Sequence, residues 1–100
     1  MRFYILDGKE SVEELDILKW AEWFESADLE VARTELGNVL VSTVFLGVDR
    51  SYGEPPILFE TMVFGGEMDR ASRRYATWEE AEEGHKEVVA NVQTSGEGLV

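Results

Sequence analysis

Apolar residues in this chain fall into blocks whose period changes along its length. Residues 2–6 (RFYIL) are short and β-prone, and Asp7-Gly8 closes them as a turn. From Ser11 the period lengthens. Ile17, Trp20, Ala21 and Phe24 share one face at 3.6-residue spacing, with Glu14, Lys19, Glu22 and Glu25 opposite. Ser11-Val12-Glu13-Glu14 matches a capping box, in which the hydroxyl accepts an orphan N–H and the glutamate reaches back. Acids in a first turn also suit the helix dipole. The spacing predicts a helix from Ser11 to about Ser26–Asp28, with Leu15 and Leu18 among its charges.

Alternation then returns. Residues 30–36 (EVARTEL) read as a strand closed by Gly37-Asn38. Two long apolar strands follow, 39–48 and 56–64. Their connection, 49–55, is too long for a two-residue hairpin and reads as a mobile surface loop. Gly65-Gly66 ends the second strand, and residues 67–74 carry the only basic cluster, Arg70, Arg73 and Arg74. Thr77-Trp78-Glu79-Glu80 is a second capping box. It opens a helix with Trp78, Ala81, His85, Val88 and Val92 inward and Glu79, Glu80, Glu83 and Glu87 outward. Residues 94–100 (TSGEGLV) read as a flexible tail after a single domain of residues 1–93.

The order β-α-β-β-β-α predicts an α+β fold, a two-layer sandwich of about four antiparallel strands with two helices on one face. Strands 39–48 and 56–64 are apolar on both alternating sets, which a sheet covered on one side does not need. A second copy of the chain is the expected cover, so a homo-oligomer is predicted.

Composition narrows the function classes. One hundred residues suit one domain, which buries roughly 60–70% of its unfolded surface. The absence of cysteine excludes disulfides, thiolate metal sites and a cysteine nucleophile, and suits the cytoplasm. No signal peptide and no apolar run of ~18 residues is visible, so no membrane span is expected. Twenty-one acidic against nine basic residues give a net charge of −12. Phosphate contacts need Lys and Arg, so direct nucleic-acid binding is not expected, whereas a basic protein partner is.

The segments KWAEWFE, VSTVFLGVDRSYGEPPILFETMVFGG and RYATWEEAEEGHKEVV resemble a family of short bacteriophage and prophage proteins. The resemblance runs from about Trp20 to Val89 and holds in order and spacing. It implies a phage context and an α+β fold, and it brings no activity, substrate or catalytic residue with it. The family often has His after Asp49; this chain has Arg50, which removes a loop imidazole as a metal ligand.

Several residues are candidates for chemistry. Glu60, between Phe59 and Thr61 in an apolar strand, needs compensation if buried. It reads either as a base or ligand contact, as the partner of Arg33, Thr43 or Arg50, or as simply exposed at an edge. His85 could form an acid–base dyad with Glu60 or Asp49, or be a core imidazole bonded to a backbone carbonyl. One histidine and no cysteine leave no zinc pattern, and no calcium-loop motif occurs. Arg70, Arg73 and Arg74 beside Gly65-Gly66 could clamp an anion; salt bridges to neighbouring acids are the alternative. Trp20 and Trp78 read as core, and Trp23 as a partner contact.

On the outer helix faces, carboxylates at i, i+4 stand about 6 Å apart, near the phosphate spacing of a nucleic-acid strand. Glu79, Glu80, Glu83 and Glu87 are therefore candidate contacts to a basic partner, as are Glu13, Glu14, Glu22 and Glu25. No complete catalytic motif occurs and no cofactor is implied. The leading expectation is a small phage binding protein that inhibits a nucleic-acid-binding defence protein of the host, of the anti-CRISPR or anti-restriction type. The alternatives are an oligomeric sponge for a nucleotide signal and a structural accessory protein.

Overall fold

The computed structural model describes residues 1–95. Nine elements follow in order: β1 (Arg2–Asp7), β2 (Glu10–Glu13), α1 (Ile17–Ser26), β3 (Glu30–Leu36), β4 (Val39–Phe45), β5 (Val48–Asp49), β6 (Phe59–Phe64), β7 (Ser72–Tyr75) and α2 (Trp78–Thr94). The fold is α+β. Strands β3-β4-β6-β7 form one antiparallel sheet and β2-β1-β5 a smaller one. Helix α2 crosses all four strands of the larger sheet. Trp23 of α1 meets Phe45 edge-on, on the sheet face that α2 also covers. The two helices thus lie on one side, as the pattern predicts.

The core sits between that face and the helices. Along β4, Val39, Val41, Thr43 and Phe45 are buried while Leu40, Ser42 and Val44 are only half-buried. β6 repeats this, with Phe59, Thr61 and Val63 against Glu60, Met62 and Phe64. Val88 and Val92 of α2 pack on Val39, Val41 and Val63. Ala81 packs among Phe45, Leu58, Phe59 and Tyr75. Each fully buried Val, Leu or Phe contributes about 1.5–3 kcal/mol relative to exposure. The opposite face keeps Leu40, Val44, Met62 and Phe64 without a cover among the described residues, and Phe64 is 46% exposed.

Four elements differ from expectation. Ser11 caps no helix: residues 10–13 return as β2, with Val12 opposite Ile5 and Glu13 opposite Tyr4. Period-2 pairing across the Asp7-Gly8 turn outcompetes a helix start there, because β1 offers a ladder. The helix begins instead at Asp16, whose Oδ1 accepts from the amides of Leu18 and Lys19. Leu15, Ile17 and Leu18 are exposed as a result. The strand expected over 39–48 breaks at Gly47, which has φ +75° and lies under Phe24. A Cβ there would sit 2.8 Å from the ring, so only glycine lets the chain cross from β4 into β5 of the other sheet. Residues 72–75, expected as loop, are the edge strand β7. The box Thr77–Glu80 is present as read, with its side-chain and backbone bonds both made. Thr94 ends α2, and residues 96–100 of the expected tail lie outside the described residues.

Candidate functional site

His85 projects from α2 into the buried face of the sheet and joins a chain of hydroxyls. Its Nδ1 lies 2.7 Å from Thr43 Oγ1 and its Nε2 2.8 Å from Thr34 Oγ1. Thr43 bonds Thr61, and the Tyr75 hydroxyl donates to Thr61 Oγ1 at 3.0 Å. One direction lets every group donate once: Tyr75 to Thr61, Thr61 to Thr43, Thr43 to Nδ1, and Nε2–H to Thr34. With Tyr75 donating to Thr61, the opposite run from His85 through Thr43 would leave the Thr61 proton without an acceptor in the network. Burial pushes the imidazole below its ordinary 6.5, favouring the neutral ring this network requires. His85 is therefore held by side chains rather than by the backbone carbonyl its position suggested. Gly84 makes the network possible. A Cβ at Gly84 would fall 2.1–2.3 Å from Tyr75 ring and hydroxyl atoms, so the tyrosine passes only beside glycine.

Glu60 stands on the other side of the sheet. It alternates with Thr61, so it cannot meet His85 across the layer. Asp49 is equally committed elsewhere, and neither acid–base dyad exists. The partner of Glu60 is Arg74, directly opposite on β7, whose Nε donates at 3.0 Å. The carboxylate is 15% exposed and the guanidinium 67%. An edge strand that went unread thus supplies its cation, rather than Arg33, Thr43 or Arg50.

The basic cluster is dispersed. Arg73 faces α2 and binds Glu87 at 2.7 Å, whereas Arg74 faces the open side. Arg70 is in the turn before β7 with φ +70°, 88% exposed and 3.8 Å from Asp69. Beside them, the Gly65 amide already donates to Asp69 Oδ1 at 2.6 Å. An internal carboxylate occupies that position. The acidic helix face also divides. Glu80 accepts from the amides of Ala76 and Thr77, and Glu87 is shared with Arg73. Glu79 and Glu83 are exposed and make no ion pair among the described residues. Glu13 lies on β2 and Glu14 accepts from the Asp16 amide, so only Glu22 and Glu25 belong to α1. Trp23 is packed in the core against Phe45 and Phe24, which leaves less of it for a partner.

A feature the pattern did not suggest is the hub at Asp49. Its side chain has no exposure, and Oδ1 accepts from the Ser51 amide (2.9 Å), the Ser51 hydroxyl (2.6 Å) and the Ile57 amide (3.3 Å). Oδ2 accepts from Arg2 at 2.8 Å. Arg2 also reaches Glu54 at 2.6 Å and the Gly53 carbonyl at 2.9 Å. The Ser51 hydroxyl above all, with the Ser51 amide and Arg2, holds the carboxyl well below the usual range; Asp49 and Glu54 raise Arg2 in turn. The 50–57 connection is thus pinned at both ends, not the free loop its Gly and Pro content suggested. It displays Tyr52 at 79% exposure and φ +58°. That region costs a bulky residue of order 1–3 kcal/mol. Asp49-x-Ser51 ahead of Gly53 is an Asx-turn signal that could have located the hub.

Among the described residues no group of three or more metal-ligating side chains forms, and no helix is long and apolar enough to cross a membrane. Compared with family models, curated proteins and solved structures, the chain matches none of them.

Proposed function

We propose that this protein is a binding protein of phage or prophage type that occupies a basic, nucleic-acid-binding host protein, of the anti-restriction or anti-CRISPR kind. The observation that supports this reading is the free carboxylate pair Glu79 and Glu83 on the exposed face of α2. They are exposed, four residues apart, and unpaired, while Glu80 and Glu87 are engaged within the chain. At about 6 Å they can stand in for neighbouring phosphates. Glu22 and Glu25 of α1 lie on the same helical side and extend the field. Steering by such a field raises association rates and weakens with salt.

The test is plating efficiency of a sensitive phage on hosts carrying restriction or CRISPR systems, with and without the expressed protein. Protection should appear on at least one system and be lost in Glu79→Gln/Glu83→Gln. No protection on any system, or full protection by the double variant, would sink the mimicry.

The open sheet face favours a second reading at the level of assembly. Glu60–Arg74 and Arg33–Glu35 neutralise each other there, around Leu40, Val44, Met62 and Phe64. Two chains of charge −12 repel except through such a face, so a sheet-to-sheet homodimer is the assembly proposed. Sedimentation equilibrium should give a dimer for the native chain and a monomer for Phe64→Lys; a native monomer at all concentrations would remove it.

A further inference from the structure

We propose that the groove between the 50–57 loop and β7 binds a small molecule with a single anionic head group on an aliphatic body, clamped by Arg50 and Arg74. The groove measures about 530 Å³ and is lined by Leu46, Val48, Arg50, Ser51, Ile57 and Arg74. Pockets of this size hold small ligands through apolar walls and a few placed polar groups. Three aliphatic side chains form the wall here, and two guanidiniums supply the charge.

The arginines are available. Arg50 is exposed and has no ion pair among the described residues, although the chain carries 21 acids. Arg74 spends only its Nε on Glu60, leaving both terminal nitrogens for a ligand. Forked guanidinium donors suit carboxylate and phosphate oxygens. The loop is set in advance by Asp49 and Arg2, so little ordering is required on binding. That rigidity also rationalises Tyr52, kept at positive φ on a loop that must hold one shape.

Two observations choose the ligand class. No aromatic side chain lines the groove, so it has nothing on which to stack a base. A second cleft of about 510 Å³ begins on the far side of Ile57 and Arg74 and is lined by Glu80, Glu83 and Glu87. A polyphosphate reaching past Arg74 would meet those carboxylates. One anionic group on an aliphatic chain, a carboxylate or a phosphate monoester, fits both constraints.

The experiment is an amide-resolved NMR titration of the full chain with sodium hexanoate, hexyl phosphate, inorganic phosphate and adenosine monophosphate. Hexanoate or hexyl phosphate should shift the amides of Ser51, Ile57 and Arg74, and the stronger of the two identifies the preferred head group. Inorganic phosphate should bind roughly tenfold or more weakly, lacking the apolar contact. Arg50→Gln breaks no contact of the fold and should weaken the alkyl probe by roughly tenfold or more. Arg70→Gln makes the same charge change on an exposed turn and should leave affinity unchanged. The proposal is overturned if neither alkyl probe moves these amides, if Arg50→Gln binds as tightly as the native chain, or if adenosine monophosphate binds as tightly as hexyl phosphate.

Discussion

Gly84 shows how a single residue is decided by its neighbour across the layer. Helix propensity alone predicts that Gly84→Ala stabilises α2 by about 0.8–1 kcal/mol. The added Cβ, however, collides with the Tyr75 ring, and overpacking of a filled interface costs about 1–3 kcal/mol. The collision should prevail. We expect a lower urea midpoint for Gly84→Ala, with Tyr75 displaced from Thr61; a higher midpoint would mean that the ring yields freely. His85 makes a second prediction at this scale. Its folded value lies below 6.5, so the unfolded chain takes up the proton first as pH falls. The stabilisation is complete above 6.5 and is lost as pH drops from there toward the folded value. Urea midpoints measured across that interval should fall for the native chain and stay nearly flat for His85→Gln. Equal slopes would show that other groups carry the dependence.

Short elements were the least legible, and each for an identifiable reason. β2 spans four residues and β7 another four, both rich in charge. Neither has an apolar face that would mark it locally; each exists because a longer strand beside it offers a ladder. By contrast β4 and β6 announce themselves by composition, and the Thr77–Glu80 box by local hydrogen bonding. The 50–57 connection belongs to the first class. Its Gly and Pro residues describe a turn correctly, but its rigidity comes from Arg2, some fifty residues away. Asp49→Asn should therefore act on this element selectively. It removes the charge pair with Arg2, at a cost of about 1–3 kcal/mol given that Arg2 is partly exposed. Hydrogen exchange at the Ser51 and Ile57 amides should accelerate while the β4–β6 ladder stays protected. Uniform acceleration would indicate that the hub supports the whole fold instead. The Asp49 carboxyl carries a pH consequence as well: its contribution is present above its ordinary 3.8 and is lost as pH falls through its depressed folded value.

The whole molecule is two-sided. One side carries both helices with the exposed Glu79 and Glu83, the other an open sheet face whose charges cancel. This division motivates the two assembly-level readings, a basic partner on the helical side and a second copy on the sheet. They separate by salt. Raising ionic strength should weaken a complex held by Glu79 and Glu83, because exposed charges are screened within a Debye length of about 8–10 Å. It should leave a dimer held by Leu40, Val44, Met62 and Phe64 intact or tighter, because like-charge repulsion falls. Sedimentation and binding measured over the same salt series would reverse that assignment if the dimer dissociated first.

The sequence by itself determined the α+β class, the inward face of α2, the apolar strands and the acidic field. Those follow from period and composition, which act between near neighbours along the chain. Only the tertiary structure decided which side of the sheet each polar residue occupies. A one-residue alternation placed Thr61 on the side of His85, which it reaches through Thr43, and Glu60 on the side of Arg74, and so dissolved the dyad expected between Glu60 and His85. It likewise drew Arg70, Arg73 and Arg74 apart and set Arg74 beside Arg50, because strand pairing brings together residues that no local pattern connects.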